Sequence, residues 1–362
     1  EERFHNGEVL FAELRSIGQQ TTPVQTPRLQ FISTDQNLLS VQQEMVGREA
    51  IVAKITDQLR QVLAGHGATI FASGEAGIGK SRFASAISGI ARSHGMNVLH
   101  GRCLYEEGQL PYHPFASALK SAFIRVDDHF LASLTAKGKT HGVDLTPLIP
   151  VIKSFLNISS DSITLLNKEQ LWDTVLSLLS VIATERPILL IIDDLQWADK
   201  PTLALFSYLA RSSSSLPIML VGLHREEERR EGQTDSGSLE QITRQLRIDN
   251  IADMIDLKRF TMQETVQFLV NLHEGEAIDP RFAQAVYDRS LGNPLFSIEL
   301  VKLLRANNRV ELVNGTWRLT DTARALPVPQ RVQDVIINRL EGIGGELREL
   351  LEFASCEGES FP

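Results

Sequence analysis

Cysteine is scarce in this sequence: there are only two, Cys103 and Cys356, and they stand far apart. No CxxC pair and no cysteine–histidine cluster occurs, so neither a disulfide framework nor a zinc site is encoded. Long hydrophobic runs are missing too, because apolar stretches such as residues 188–192 fall far short of the ~20 residues that cross a bilayer. The N-terminus shows no export signal. We expect a reducing, cytoplasmic location with no membrane partner.

The sequence also lacks an excess of positive charge. Lys and Arg number 36 against 45 Asp and Glu, and the net charge of -9 disfavours binding to a nucleic-acid backbone. Hydrophobic residues make up 43% and charged residues 22%, as in ordinary globular proteins. At about 150 residues per domain, 362 residues predict two to three folding units. The chain opens on Glu1 and stops just after an apolar periodic segment, so we expect a piece of a longer protein.

Changes in composition and periodicity divide the chain. Apolar residues at helical spacing within residues 1–18 predict the last helix of a preceding domain. Residues 19–44, rich in Gln, Thr, Pro and Ser without a period, predict a linker. In residues 45–257, buried strands alternate with amphipathic helices, which is typical of a parallel α/β sheet. A helical unit follows over residues 258–308. Residues 309–362 then predict a hairpin and a further, incomplete helical segment.

Two local signals support the last two units. Thr261-Met262-Gln263-Glu264 fits a capping box and therefore predicts the start of a helix. Asn314-Gly315 is the favoured residue pair of a type I′ turn, which predicts a hairpin over residues 310–319.

A glycine-rich loop carries the strongest chemical signal. Residues 74–81 fit G-x-x-x-x-G-K-[ST] between a predicted strand and a predicted helix, which favours a phosphate site over an ordinary glycine turn. In such a loop backbone N–H groups approach phosphates, Lys80 reaches the β and γ oxygens, Ser81 binds Mg²⁺, and the helix dipole adds attraction. The expected contacts to ATP or ADP are Gly74, Glu75, Ala76, Gly77, Ile78, Gly79, Lys80, Ser81 and Arg82.

Two carboxylates follow a second buried strand. Asp193 and Asp194 end the apolar run 188–192, which places them beside the loop that follows the first strand. Asp193 is expected to hold the Mg²⁺ shell, and Asp194 to orient or activate the attacking water. A paired Asp after a strand is more often a helix cap or a solvated turn, but the phosphate loop favours the catalytic interpretation.

A cation follows a further predicted strand, residues 218–223. Arg225 either contacts the γ-phosphate or forms a salt bridge with Glu226, Glu227 or Glu228, and the sequence leaves both open. None of the nine histidines lies in a cluster with metal-ligand spacing.

Together these motifs resemble the AAA-like branch of P-loop ATPases that includes the STAND signalling ATPases. The resemblance rests on Val46-Gly47-Arg48-Glu49, the phosphate loop, the Asp193–Asp199 run, Arg225 and Gly292-Asn293-Pro294-Leu295-Phe296. It implies an α/β P-loop NTPase core with a parallel sheet and flanking helices, a helical lid and the start of a winged-helix domain. It also implies that Val46, Arg48 and Pro294 bracket the adenine. No arginine finger or lid arginine is matched, so fast hydrolysis and ring assembly are not implied.

The N-terminal segment resembles a second family. Residues 1–14 are similar to the last helix of a serine/threonine protein kinase domain, where an arginine at the place of Arg3 pairs with a carboxylate. This likeness implies a kinase joined to a regulatory ATPase, whose partners are the flanking sensor and effector domains and other proteins.

Three functions follow from these patterns. The first is a slowly hydrolysing ATPase that acts as a nucleotide-dependent switch in a signal-transduction protein. The second is a protein-binding scaffold that holds nucleotide for stability, which is worth about 4 kcal/mol at a thousandfold excess over Kd. The third, a DNA-loading ATPase, rests on fold analogy alone and is disfavoured by the acidic charge.

Overall fold

A computed structural model of the chain describes residues 45–104, 111–122, 132, 135–136, 138–139, 168–225 and 238–320. The expected kinase-like helix, the linker and the start of a winged helix all lie outside these residues. The core elements are α1 (Glu49–Leu63), β1 (Ala68–Ser73), α2 (Lys80–Ser93), β2 (Asn97–Arg102), α3 (His113–Ala122), α4 (Lys168–Glu185), β3 (Ile188–Asp193), α5 (Lys200–Ser212), β4 (Ile218–His224), α6 (Leu239–Ile248) and β5 (Ala252–Asp256). The remaining elements are α7 (Met262–Leu272), β6 (Ala277–Ile278), α8 (Pro280–Ser290), α9 (Pro294–Ala306), β7 (Val310–Val313) and β8 (Thr316–Leu319).

The core is a five-stranded sheet in the order β2-β3-β4-β1-β5, and every pairing is parallel. Side chains that alternate along the strands divide between two hydrophobic clusters. One cluster packs the sheet against α1 and α2, and the other packs it against α3, α4, α5 and α6. Strand β3 is buried along its whole length, as its unbroken apolar run predicts. The predicted α/β architecture with helices on both faces is confirmed.

The structure adds the order of the strands, which the sequence does not specify. Strand β3, which ends in Asp193, is not the neighbour of β1, because β4 lies between them. Ile192 pairs with Gly222 on β4, and Ser73 pairs with His224. The three strands therefore end at the same edge of the sheet, where the end of β4 separates the aspartates from the loop after β1.

The lid, residues 258–308, and the hairpin of β7 and β8 share one hydrophobic core. The capping box at Thr261 and Glu264 is formed in both directions. Strands β7 and β8 pair antiparallel around Asn314 and Gly315, both at positive φ as a type I′ turn requires. Strand β6, inside the lid, pairs parallel with β8, and the buried residues of α7, α8 and α9 pack with Val310. The expected boundary at residue 309 thus falls within one packed unit.

A close approach of backbone to backbone holds α3 on the edge of the sheet. A Cβ at Gly101 would lie 2.1 Å from the carbonyl oxygen of Pro114, so only glycine allows α3 to pack this near to β2. The backbone N–H of Tyr112 donates to the hydroxyl of Thr202 on α5, at 3.0 Å. Among the described helices, none is both long and apolar enough to cross a bilayer.

His273 makes the packing of lid and hairpin sensitive to pH. The side chain is 2% exposed, its Nδ1 lies 2.8 Å from the carbonyl oxygen of Leu269, and its ring contacts those of Phe282 and Trp317. Its Nε2 is buried without a hydrogen-bond partner. Because burial disfavours the charged ring, it lowers the pKa of His273 below the usual value of about 6.5.

This lowered pKa predicts that the lid loses stability in acid. The unfolded chain binds more protons than the folded one, so the contribution is fully present above about pH 6.5 and is lost as the pH falls through the lowered folded value. We expect thermal unfolding of His273→Asn to depend less on pH than that of the wild type. His94, which is exposed but makes the same contact with the carbonyl oxygen of Ile90 at 2.8 Å, supplies the control variant His94→Asn. Equal pH dependence in the wild type and His273→Asn would contradict the assignment.

Candidate functional site

The loop between β1 and α2 has the geometry of an anion site. Helix α2 begins at Lys80, and Gly79 before it has φ 104°, a left-handed conformation that favours glycine. The ammonium of Lys80 donates to the carbonyl oxygens of Gly74 at 2.8 Å and Glu75 at 2.9 Å. The lysine is 9% exposed, so its charge is held inside the loop at a helix N-terminus. Both features attract a phosphate.

The other predicted loop contacts fall into two groups. Ser81 is exposed on the first turn of α2, where its hydroxyl is accessible to a metal ion, and Arg82 beside it is half-buried. Ile78 packs in the core below the sheet edge, and a Cβ at Gly74 would lie 2.8 Å from its side chain. Ile78 can therefore contribute only backbone groups to a ligand.

The two aspartates differ in their surroundings. Asp193 ends β3 and accepts the N–H of Asp194 at 2.8 Å. Asp194 has φ 55° and ψ 42°, a left-handed conformation that aspartate adopts more readily than most residues. Each oxygen of its carboxylate accepts one hydrogen bond: Oδ1 accepts from Gln196 and Oδ2 accepts from Arg102, each at 2.9 Å. Asp194 is therefore fixed in direction, and its carboxylate is paired with the guanidinium of Arg102.

The donor set fits Mg²⁺, the ion that the loop implies. Burial is the larger cause that raises the pKa of Asp193, and the negative charge of Asp194 raises it further. A cation beside Asp193 would therefore offset the repulsion between the two carboxylates. Together with the exposed hydroxyl of Ser81, Asp193 offers the few oxygens that Mg²⁺ takes from a protein when phosphate and water complete its shell. Within the described ranges, no group of three or more His, Cys, Asp or Glu is arranged as a metal site.

Gln196 joins the end of β4 to Asp194. Its Nε2 donates to Asp194, and its Oε1 accepts the backbone N–H of Arg225 at 3.0 Å. Arg225 is exposed at the sheet edge that carries the phosphate loop and the aspartates. The alternative partners, residues 226–228, lie outside the described part of the chain, so both interpretations of Arg225 stay open.

The three residues expected to bracket adenine lie in one neighbourhood. Arg48 is 7% exposed, donates to the carbonyl oxygen of Lys258, and stands over the ring of Phe260 with its Cζ 5.6 Å from the centroid. The N–H of Phe260 donates to Gly292 at 2.8 Å, two residues before the buried Pro294. Val46, also buried, lies two residues before Arg48. Burial lowers the pKa of Arg48, and the negative charge of Glu264 is the largest of the effects that raise it in the opposite direction.

The lid touches the phosphate loop directly. Asn293 caps α9 with its Oδ1, and its Nδ2 donates to the carbonyl oxygen of Ala76 at 3.0 Å. The N–H of Leu295 donates to the carbonyl oxygen of Gly77 at 3.2 Å. A Cβ at Gly77, which has φ 79°, would come within 2.8 Å of Leu295 and 2.9 Å of Asn293. Glycine at this position therefore permits the contact between loop and lid.

The sequence patterns did not predict a role for several of these residues. Arg102, Gln196 and Arg259, which pairs with Glu75, were not expected to contact the site, and Asn293 was noted only as part of the Gly-Asn-Pro motif. A signal existed for Asn293, because asparagine before proline at a helix start is a common cap. Cys103 follows Arg102 but is buried, and burial raises its pKa to about 12, which is incompatible with a reactive thiolate at neutral pH.

Comparison with known proteins agrees with this geometry. Residues 44–221, just under half of the chain, match the family model of the AAA ATPase domain. The chain has the AAA-like P-loop NTPase fold. Its phosphate loop and the strands β1 to β3 lie within the matched residues, and β4 begins there, whereas the lid lies beyond them.

Similar solved structures are remote in sequence. The Aeropyrum pernix ORC1 protein in complex with DNA is 14% identical with a TM-score of 0.44, over 75% of this chain and 63% of that one. A Walker-type ATPase of Pyrococcus abyssi is 15% identical with a TM-score of 0.49, over 87% and 78%. Drosophila ORC bound to DNA is 12% identical with a TM-score of 0.45, over 83% and 70%.

The chain spans 63% of the length of the Aeropyrum protein, and no curated protein matches it by sequence. The DNA in two of these complexes is bound by those proteins. Assignment of the P-loop NTPase fold therefore rests on the order of the strands, the phosphate loop and the match of residues 44–221.

Proposed function

We propose that the ATPase domain is a slowly hydrolysing conformational switch, in which bound ATP or ADP sets the position of the lid. The observation that carries the proposal is the contact of the lid with the loop: Asn293 and Leu295 bind the carbonyl oxygens of Ala76 and Gly77. A ligand shifts an equilibrium only when it binds the two states differently. A γ-phosphate on this loop adds charge next to the start of α9, so ATP and ADP would favour different lid positions.

Each residue of the site has a proposed part. The ammonium of Lys80 binds the β and γ oxygens, Ser81 and Asp193 hold Mg²⁺, and Asp194 orients the attacking water. Mg²⁺, when bound, would offset the charge that develops on the phosphate oxygens. Arg225 contacts the γ-phosphate, and Gln196 links its backbone to Asp194.

Slow hydrolysis is supported by the pairing of Asp194. A general base needs an oxygen lone pair within hydrogen-bond distance of the water. Arg102 and Gln196 each donate to one oxygen of Asp194, so an attacking water has to bind at the lone pairs that these two donors leave open. Arg102 has the more exposed side chain, at 64%, and is the partner that water can more readily replace.

The setting that we propose is a multidomain signalling regulator of the STAND type, joined to a serine/threonine kinase domain. Support comes from the Val46-Gly47-Arg48-Glu49 motif, the Asp193–Asp199 run and the similarity of residues 1–14 to a kinase helix. In this setting the flanking domains are the partners of the switch, and a change of lid position alters what they expose.

Hydrogen exchange tests the switch. We expect amides near the start of α9 to be protected to different degrees with ADP and with a non-hydrolysable ATP analogue, each with Mg²⁺. The hairpin β7–β8, which lies away from the loop contacts, serves as the internal control and should exchange equally in both. Equal protection of α9 with the two nucleotides would instead indicate a scaffold that holds nucleotide for stability.

A further inference from the structure

An ion pair joins the phosphate loop to the segment that leads into the lid. Arg259 lies between β5 and α7, and its Nε is 3.1 Å from both carboxylate oxygens of Glu75. Its Nη2 is 2.7 Å from Oε2. The fork of the guanidinium thus faces the carboxylate along both oxygens, an arrangement that fixes direction as well as distance.

Glu75 is the residue at which this attachment meets the phosphate site. Its carboxylate accepts from Arg259, and its backbone carbonyl accepts from Lys80 at 2.9 Å. The next two residues of the loop, Ala76 and Gly77, accept hydrogen bonds from Asn293 and Leu295 of the lid. A displacement of Arg259 with the lid would therefore shift the peptide group that holds the ammonium of Lys80.

Charge gives the pair a second effect. Glu75 places a negative charge inside a loop that binds a polyphosphate, and an unpaired carboxylate there would repel the ligand. Arg259 neutralises that charge from the lid side. Nucleotide affinity is then highest when the lid segment is in place.

We propose that Arg259 is a positioning residue that couples lid position to the phosphate loop through Glu75 and so slows the release of bound nucleotide. This inference rests on the proposed function, since it requires a nucleotide on the loop. The side chains of Arg259 and Glu75 are 38% and 36% exposed, so the effect is that of a partly solvated pair and should weaken with salt.

The chain contains a matched control. Arg318 and Glu311 pair across the hairpin at 2.8 Å, with side chains 51% and 44% exposed, and form no hydrogen bond or ion pair with the loop in the part of the chain that the structure describes. Arg318→Ala removes an ion pair of the same kind at a similar exposure. Any general effect of losing a surface ion pair on folding should appear in both variants.

The test measures release of fluorescently labelled ADP from the 362-residue chain by displacement with excess ADP. Arg259→Ala should release nucleotide about fivefold faster than the wild type, and Arg259→Lys should fall between the two. Raising the salt concentration should speed release from the wild type and narrow the gap. Arg318→Ala should match the wild type.

The outcomes separate the two proposals. If the wild type binds no nucleotide, the proposed function itself fails. If the wild type binds but Arg259→Ala releases at the same rate, or Arg318→Ala accelerates release equally, the coupling role of Arg259 is overturned and the switch is untouched. A salt-independent gap between wild type and Arg259→Ala would likewise overturn it.

Discussion

Lys80→Ala is expected to remove most ATP binding and nearly all ATP hydrolysis. The lysine is almost fully buried, and two carbonyl oxygens of the loop hold its ammonium at the proposed phosphate site. A charge-assisted hydrogen bond contributes about 1.5–3 kcal/mol, so affinity should fall by about 10- to 100-fold. At saturating ATP, hydrolysis should fall by about a further 10² to 10³, because the transition state carries more charge on the oxygens that Lys80 contacts.

Binding and turnover should be measured separately for this variant, by calorimetry with ADP and by single-turnover hydrolysis of ATP. Lys54→Ala is the matched control: Lys54 is exposed, pairs with Asp253 at 2.8 Å and lies away from the loop. Nucleotide should also no longer protect the lid of Lys80→Ala from hydrogen exchange. Affinity equal to that of the wild type would contradict a phosphate site at this loop.

Asp194→Asn is expected to bind ATP normally and to hydrolyse it about 10² to 10⁴ times more slowly. Asparagine has nearly the same shape as aspartate but keeps one oxygen acceptor, so only one of the donors Gln196 and Arg102 retains its hydrogen bond. The amide cannot take a proton from water. Single-turnover hydrolysis and nucleotide retention, measured on the same samples, give both quantities.

The control for this variant is Asp199→Asn, five residues further along. Asp199 caps α5 by accepting the N–H of Thr202 at 2.7 Å, and asparagine caps helices as well as aspartate does. Asp199→Asn should therefore hydrolyse ATP at the wild-type rate. If Asp194→Asn also turns over normally, the carboxylate is structural and the water is oriented by another group.

Much of the core could be predicted from the sequence because its signals are local. The apolar run of β3 and the glycine pattern of residues 74–81 each occupy a few consecutive residues. The capping box at Thr261 and the turn at Asn314 are equally short. Each of these patterns favours one backbone conformation almost independently of the rest of the chain.

Other parts depend on the tertiary fold and leave no such pattern. Strand β5 is short and only partly buried, and β6 has two residues that become a strand only because β8 lies beside them. The arginines that pair with Glu75 and Asp194 lie 184 and 92 residues away in sequence. The separation of β1 and β3 by β4 follows from the order of the strands, which alternation along the chain does not specify.

Gly77 has a consequence for how this protein can vary during evolution. Leu295 and the side-chain amide of Asn293 lie where a Cβ of residue 77 would be, so the loop and the lid fit together only because that Cβ is absent. A larger residue at position 77 would have to be accompanied by smaller ones at 293 or 295, or by a lid that stands further away. Substitutions at these three positions should therefore covary among homologous chains, although residue 77 and the other two lie more than two hundred residues apart.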